Sequence, residues 1–464
     1  MAAAGRRRKV EEVVPAADRT VNSLRDIGYE LPQAVADLVD NSIEAGARAV
    51  DVDVVFDGAA SWVRIADNGS GMDMARIKES LRIGSVRDYD EDDLGKFGFG
   101  MKTASLSQCR RLVVASRVAP QRARIEARVF DVQHIEDTNR WEVLILDPAD
   151  RPAHLTDPLQ DHPGTVILWE NLDRVLTYRD PSGGWARNHL LGQTELIAEH
   201  LAMVFHRFLS GSARGRQQVE IRVNGSLVEP WNPFCPDEDT RELEAKHFPV
   251  TSEGAQGIVL LRPFVLPGQA EFSTQAAWQR ASGPRRWNNQ QGLYVYRADR
   301  LIQWGGWSRL RTRDEHTKLA RVALEFSPEL DSAFGINISK ARVNLPADLR
   351  EAMSATITQV CSVADKRYRS NSKPRPPRPP ARLPAPPRPA PPAPTPNPPP
   401  TAAPVPTPTP VPDPASTPVP GSEGVLPRTA FEQAADAAGQ RVALDAIVQT
   451  LQAMSPEVAH ELGW

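Results

Sequence analysis

Three short segments, met in order before residue 110, constrain this chain more than anything else in it. They are ADLVDNSIEAGA around Asp37 and Asn41, IADNGSGM around Asp67, and GKFGFGMKTAS around Gly98, Gly100 and Lys102. The first reads as a helix, with Pro32 in its opening turn and Gly46 at its stop. Ala34, Leu38, Val39 and Ala45 supply its buried stripe. Asp37 and Asn41 stand four residues apart and so project from one face. An amide oxygen beside a carboxylate suits Mg²⁺, which takes few protein oxygens and keeps water and phosphate for the rest. A carboxylate one turn before the Asn can also orient or deprotonate an attacking water. Asp40 and Glu44 fall on an adjacent face and read as solvated or as support behind the site. Taken alone, the segment could equally be a charged amphipathic helix.

Asp67 closes an alternating run, WVRIAD (62–67), that pairs by alternation with VDVDVVF (50–56) across the Asp57-Gly58 turn. A carboxylate at a strand end can accept a hydrogen bond from the exocyclic amine of adenine. Gly69 and Gly71, leading to Met72, permit a turn that brings backbone close to the base. DNG is also a common hairpin turn. Thr165, in the strand-like GTVILWE (164–170), is a candidate to support the Asp67 carboxylate or a bridging water, or else an ordinary strand residue. In the third segment, Gly95, Gly98, Phe99, Gly100 and Met101 precede a helix over TASLSQ, so several backbone N–H groups face one anion. Lys102, and second to it Lys96, add positive charge toward the terminal phosphates. The polar stretch IGSVRDYDEDD (83–93) reads as a lid. In this order the three segments specify an ATP site with Mg²⁺, built without a Walker-type loop.

The remaining organisation is legible from composition. At 464 residues and 41% hydrophobic content, the chain has room for two or three globular domains. More than half of its 43 prolines fall between Pro374 and Pro420, where no core can form and an extended spacer is expected. The expected layout is a basic N-terminus (1–14), a nucleotide domain (15–190), a second mixed α/β domain (191–370), a Pro-rich linker (371–425) and a short helical tail (426–464). The tail carries a capping-box pattern at Thr429 and Glu432 and a stripe of Phe431, Ala435, Ala438, Val442 and Leu451, and reads as a docking element for a protein partner or a second copy. Helices mixed with antiparallel strands, among them RLVVASR (111–117), EVLILD (142–147) and GTVILWE, make the fold class α+β, a sandwich of helices and sheet. No apolar run is long enough for a membrane span, and MAAAGRRRKVEE has no apolar stretch behind its charge. Cys109, Cys235 and Cys361 lie far apart and read as reduced, mostly buried thiols of a cytoplasmic protein. A net charge of -3 argues against a globally basic nucleic-acid binder but permits a local basic face.

On these three segments the chain resembles the GHKL ATPases, the group of gyrase B subunits, Hsp90-type chaperones, histidine kinases and MutL proteins, and most of all their MORC type. The resemblance implies a Bergerat-type sandwich with ATP held under a lid. It also implies that Asn41 is the Mg²⁺ ligand, Asp67 the adenine contact, Gly69 and Gly71 the turn beneath the base, and Gly98, Gly100 and Lys102 the phosphate side. The family's general base is usually a Glu. Asp37 stands there instead, one methylene or roughly 1.5 Å shorter, which implies slow hydrolysis or none. The second region resembles the transducer domain of that group through GLYVYRADRLI (292–302) and INISKARVNLP (336–346). Lys340 in the latter resembles the lysine that reaches the γ-phosphate on closure. A histidine kinase is disfavoured, since no phospho-accepting helical hairpin precedes the site.

The expectation that follows is an ATP-driven switch closing as a homodimer. Between residues 271 and 318 nine Lys/Arg stand against four Asp/Glu, interleaved with Trp278, Trp287, Trp304 and Trp307. Arg280, Arg285, Arg286, Arg309, Arg311 and Arg313 are candidates for a DNA phosphate-binding face. The plain alternative is a solvated basic loop around core tryptophans. A nucleotide-gated chaperone or scaffold, and an ATP binder without turnover, are the competing readings.

Overall fold

The computed structural model describes residues 15–83, 100–119, 124–252, 255–284, 286–336 and 343–371, together with positions 448, 449 and 452. The chain divides into two compact units, Met1–Ala381 and Arg382–Trp464, and the architecture below is that of the first. Apart from positions 448, 449 and 452 of the tail and Ile83 of the lid, the expected tail, the Pro-rich spacer and the lid over 83–93 lie outside the described residues.

Two sheets organise the unit. The first has eight strands in the order β5-β4-β3-β6-β2-β1-β7-β8: β1 (Ala49–Val55), β2 (Trp62–Asp67), β3 (Arg111–Arg117), β4 (Glu126–Asp131), β5 (Leu144–Ile145), β6 (Gly164–Glu170), β7 (Glu220–Val223) and β8 (Ser226–Leu227). Its pairs are antiparallel except β1 with β7. One face is covered by α1 (Ala17–Arg25), α2 (Leu31–Glu44), α4 (Gly100–Leu106) and α7 (Gly184–Val204), which bury Val35, Leu38, Val39, Leu106, Ile197 and Leu201 with Val52 and Ile65 of the sheet. Around this sheet also lie α3 (Met74–Leu81), α5 (Val132–Thr138) and α6 (Ala153–Thr156). Leu155 and Leu159, in and just after α6, close the opposite face over Val113, Ala115 and Val166.

The second sheet follows the order β10-β11-β14-β12-β13, with β9 (Arg241–Glu242) paired to β11. Its strands are β10 (Lys246–Ser252), β11 (Ala255–Val265), β12 (Gly292–Arg297), β13 (Arg300–Trp304) and β14 (Ala320–Phe326). On one side it buries α9 (Gln275–Ser282) and the long α11 (Ala347–Asn371), with Trp278, Leu324, Met353 and Val360 in one core. The short α10 (Arg286–Gln290) follows α9. On the other side Tyr294, Tyr296 and Leu301 pack on Met203 of α7, just before α8 (His206–Leu209). The end of α7 therefore serves both cores: Leu201 and Val204 face the first sheet and Met203 the second.

Mixed α/β architecture stands as expected. Two details differ. The boundary at 190/191 falls inside α7, and 220–227 extend the first sheet, because Ile221 and Val223 bury with its core. Of EVLILD only Leu144–Ile145 is strand, an exposed edge, and the strand at 126–131 carried no expectation because Glu126 and Arg128, ion-paired to each other, interrupt its apolar reading. None of the three cysteines is in a disulfide: Cys109 and Cys361 are buried and Cys235 half-buried. Among the described residues, no helix is long and apolar enough to cross a membrane.

Candidate nucleotide site

The site grows from the two ends of one helix-strand junction. Pro32 sits in the first turn of α2, where a missing N–H costs nothing. The helix ends in a Schellman arrangement: Gly46 N–H donates to the Ile43 carbonyl and Ala47 N–H to the Ser42 carbonyl, both at 3.0 Å, with Gly46 at φ 75°. The Asp67–Met72 turn is then pinned under the helix end. Ser70 N–H donates to the Ala45 carbonyl at 2.9 Å, and Asn68 Oδ1 accepts from the Arg48 and Ala49 amides at 2.8 and 3.0 Å.

Asp67 is buried at the floor of this junction. Sheet register sets Thr165 of β6 directly opposite it. Its Oδ2 accepts from Ser42 Oγ at 3.0 Å, and its Oδ1 from the Gly69 amide at 2.9 Å and the Thr165 amide at 3.3 Å. Burial pushes the carboxyl above the usual carboxylate range, against the pull of these donors, with Gly69 the strongest. The support from Thr165 comes through its backbone N–H; its hydroxyl is 2.9 Å from Ser116 Oγ, which in turn accepts from the Met72 amide at 2.7 Å. Ser42, the missed partner, stands in the same DNS triplet as Asn41, on the helix face turned to the sheet.

The floor has no room for side chains. A Cβ on Gly69 would stand 2.9 Å from the Ala45 Cβ, and one on Gly71, at φ +67°, would overlap the Arg117 carbonyl. A flat ring laid over such a turn meets backbone and one carboxylate acceptor, which fits an adenine amine. One turn beyond the buried Asp37, Asn41 is exposed. An exposed amide oxygen on this face fits a Mg²⁺ that takes its other ligands from phosphate and water.

Asp37 is held differently. Tyr29 donates its hydroxyl to Asp37 Oδ2 at 2.9 Å, and burial next to that charge pushes the phenol far up its range. Arg300 Nη2 lies 3.2 Å from Asp37 Oδ1 while its Nε donates to Asp40 at 2.8 Å. Of the two expectations for Asp40, solvation is excluded and support behind the site remains: it is 1% exposed and ion-paired across 260 residues of chain. Burying a carboxylate is costly without a partner, and here one partner, Arg300, comes from the second sheet. Sequence reading missed both Tyr29 and Arg300; the RADR hairpin tip carried the only trace of the latter.

On the phosphate side, Gly100, Met101 and Lys102 open α4, whereas Lys96, Gly98 and Phe99 lie outside the described residues. Lys102 is buried and donates to the Ser80 carbonyl at 2.8 Å, and burial pulls its ammonium down to about 8, with Glu79 opposing. Lys340 and Arg285 also lie outside the described residues. Of the basic candidates, Arg280, Arg286, Arg309, Arg311 and Arg313 are exposed, while Trp278 and Trp307 are buried. Trp278 stacks on the half-buried Trp287 at 3.8 Å. Arg311 lies 6.0 Å from the Trp307 ring, and Trp304, like Trp287, is half-buried.

Comparison with known proteins agrees with this geometry. Residues 29–165 match the family described as histidine kinase-, DNA gyrase B-, and HSP90-like ATPase. The DNA mismatch repair protein MutL of Klebsiella pneumoniae (strain 342) is 38% identical over 208 residues, covering 44% of this chain and 29% of that protein. MutL of Shewanella baltica (strain OS155) is 38% identical over 228 residues, covering 44% and 35%. MutL of Aliivibrio salmonicida (strain LFI1238) is 36% identical over 239 residues, covering 42% and 36%. The chain spans about a third of the length of these relatives. It carries an ATP-binding ATPase domain of the GHKL type.

Proposed function

We propose that this chain is an ATP-dependent switch of MORC-like type that hydrolyses ATP slowly, closes as a homodimer when ATP and Mg²⁺ bind, and acts on DNA. The observation that carries the reading is the junction of α2 and β2. There a buried carboxylate over a glycine turn, Asp67, lies beside a helix presenting Asn41 and Asp37. In this reading Asp67 and the Gly69–Gly71 turn take the base, and Asn41 holds Mg²⁺, which supplies charge neutralisation at the phosphates. Gly98, Gly100 and Lys102 face the phosphates. Asp37 orients the attacking water, at a distance that keeps turnover slow. Lys340 completes the site from the second region on closure.

DNA enters from two sides: the relatives are named as mismatch repair proteins, and exposed arginines cluster at 280–313. The test is nucleotide-dependent dimerisation of the full chain, by light scattering or sedimentation, with and without DNA. We expect dimer with a non-hydrolysable ATP analogue and Mg²⁺, none in Asn41→Ala, and DNA retention that falls steeply with salt. Closure that survives Asn41→Ala refutes the site assignment. No DNA binding at low salt, with or without ATP, refutes the DNA reading and leaves the scaffold reading in its place.

A further inference from the structure

The β12–β13 hairpin of the second sheet ends in a two-residue turn, Ala298 and Asp299, with both φ values positive at 47° and 64°. Neither residue is glycine, so the surroundings must hold this conformation. Each polar residue of the tip has a partner. Arg297 Nε donates to Asp331 at 2.7 Å. Asp299 accepts from Arg207 Nη1 at 2.5 Å and from the Arg214 amide at 2.9 Å. With the tip clamped, Arg300 enters the first domain, 5% exposed, its guanidinium 5.8 Å from the Phe205 ring, and reaches both Asp37 and Asp40. Tyr29 holds the other oxygen of Asp37.

We propose that Arg300 is a positioning residue for ATP hydrolysis: it fixes Asp37 from the second sheet and offsets the charge of the Asp37–Asp40 pair, so that the water-orienting carboxylate is set only while the hairpin is seated. The proposal rests on Asp37 having the role given above. Its physical content is charge and geometry. Two buried carboxylates, 4% and 1% exposed and less than one helical turn apart, share one guanidinium. Without it, both carboxylates lose the donor that ties them to the second sheet, and Asp37 loses the contact that fixes its Oδ1. A displaced hairpin would do the same reversibly, which makes the hairpin a mechanical link between second-domain movement and catalysis.

The experiment compares the full chain with Arg300→Gln, Arg300→Lys, and Arg300→Gln combined with Asp40→Asn, reading kcat and KM for ATP. Arg300→Gln should lower kcat by about tenfold or more while KM stays within about threefold. Lysine should restore part of the rate, and so should Asp40→Asn, because it removes one of the two charges that Arg300 faces; a merely structural arginine would not be rescued that way. Hydrogen exchange should show amides 292–304 changing on addition of an ATP analogue in the unsubstituted chain and not in Arg300→Gln. An unchanged kcat in Arg300→Gln, a loss that neither companion restores, or hairpin amides blind to nucleotide overturns the proposal. If Arg300→Gln does not fold, the lysine and double variants decide. Asp37→Asn separates the two readings: normal turnover there sinks Asp37 itself, whereas a dead Asp37→Asn beside a normal Arg300→Gln sinks only the role of Arg300.

Discussion

Asp67 and Asp37 are both buried carboxylates of one site, yet they are held by opposite means. Asp67 rests on neutral dipoles, a serine hydroxyl and two backbone amides, all supplied by residues 42–165. Asp37 rests on Tyr29 beside it and on a cation 263 positions away. Neutral donors that belong to the same rigid junction cannot be withdrawn without unfolding it. A cation lent by another sheet can. On the proposed roles, the recognition end of the site is therefore built into the first sheet, and the catalytic end is exposed to whatever moves the second.

The largest effects should separate these ends. Asp37→Asn keeps the shape and, if Asp37 has the proposed role, loses the group that orients the water, so kcat should fall by about 10²–10⁴ with ATP affinity nearly intact by calorimetry. Asp67→Ala should do the reverse. Losing a hydrogen bond to a charged acceptor costs about 1.5–3 kcal/mol, some ten- to hundredfold in Kd. The proposed adenine contact needs the ionised carboxylate, and burial raises the Asp67 pKa. Affinity should therefore be lost on acidification from a pH above the ordinary Asp range near ~3.9. The fold responds with the opposite sign: a carboxyl raised in the folded state binds its proton more readily there than in the unfolded chain, so acidification stabilises the fold at this position. If Asp37→Asn weakened binding as much as Asp67→Ala, the division between the two ends would fail.

How far each end could be read from sequence follows from the same difference. Asp67, Gly69 and Gly71 lie in one turn, and the turn's geometry is local: alternation predicts the strand, and positive φ and close approach demand the glycines. Asp37 was legible as a position on a helix face, but not its environment. The partner of Asp40 is set by hairpin β12–β13 docking against α7 and α2, and nothing in a four-residue tip reading RADR says which of its charges crosses to another domain. The same limit applies around residue 190. α7 is continuous, and strands 220–227 return to the first sheet by parallel pairing with β1, a non-local choice that no window around them displays. The tryptophans of 278–307 show the limit from the other side, since aromatic residues between arginines have one sequence pattern whether they face water or fill a core.

A smaller effect sharpens the recognition end. Gly71→Ala puts a Cβ into the Arg117 carbonyl at a φ of +67°, and strain of this kind costs about 1–3 kcal/mol. Thermal melting should fall, and ATP binding should weaken with it because the turn and the β3 edge must part. Unchanged melting and binding would mean that the turn adapts and that its glycine is not what shapes the floor.

The smallest effect concerns Lys102, which belongs to neither end by contact alone, since its ammonium is tied to the Ser80 carbonyl. Burial lowers its pKa from the ordinary lysine value of 10.5 to about 8. Between those two values the unfolded chain holds a proton that the folded chain has lost, so the folded state gains stability as pH rises from about 8. If the same ammonium meets the phosphates, ATP favours its charged form and affinity should decline over that interval, by at most about tenfold per pH unit. Binding and stability would then move in opposite directions with pH, and Lys102→Met should flatten both curves. Should only the stability curve flatten, Lys102 is a packing residue that holds α4 to α3, and the charge at the phosphates must come from elsewhere in the chain.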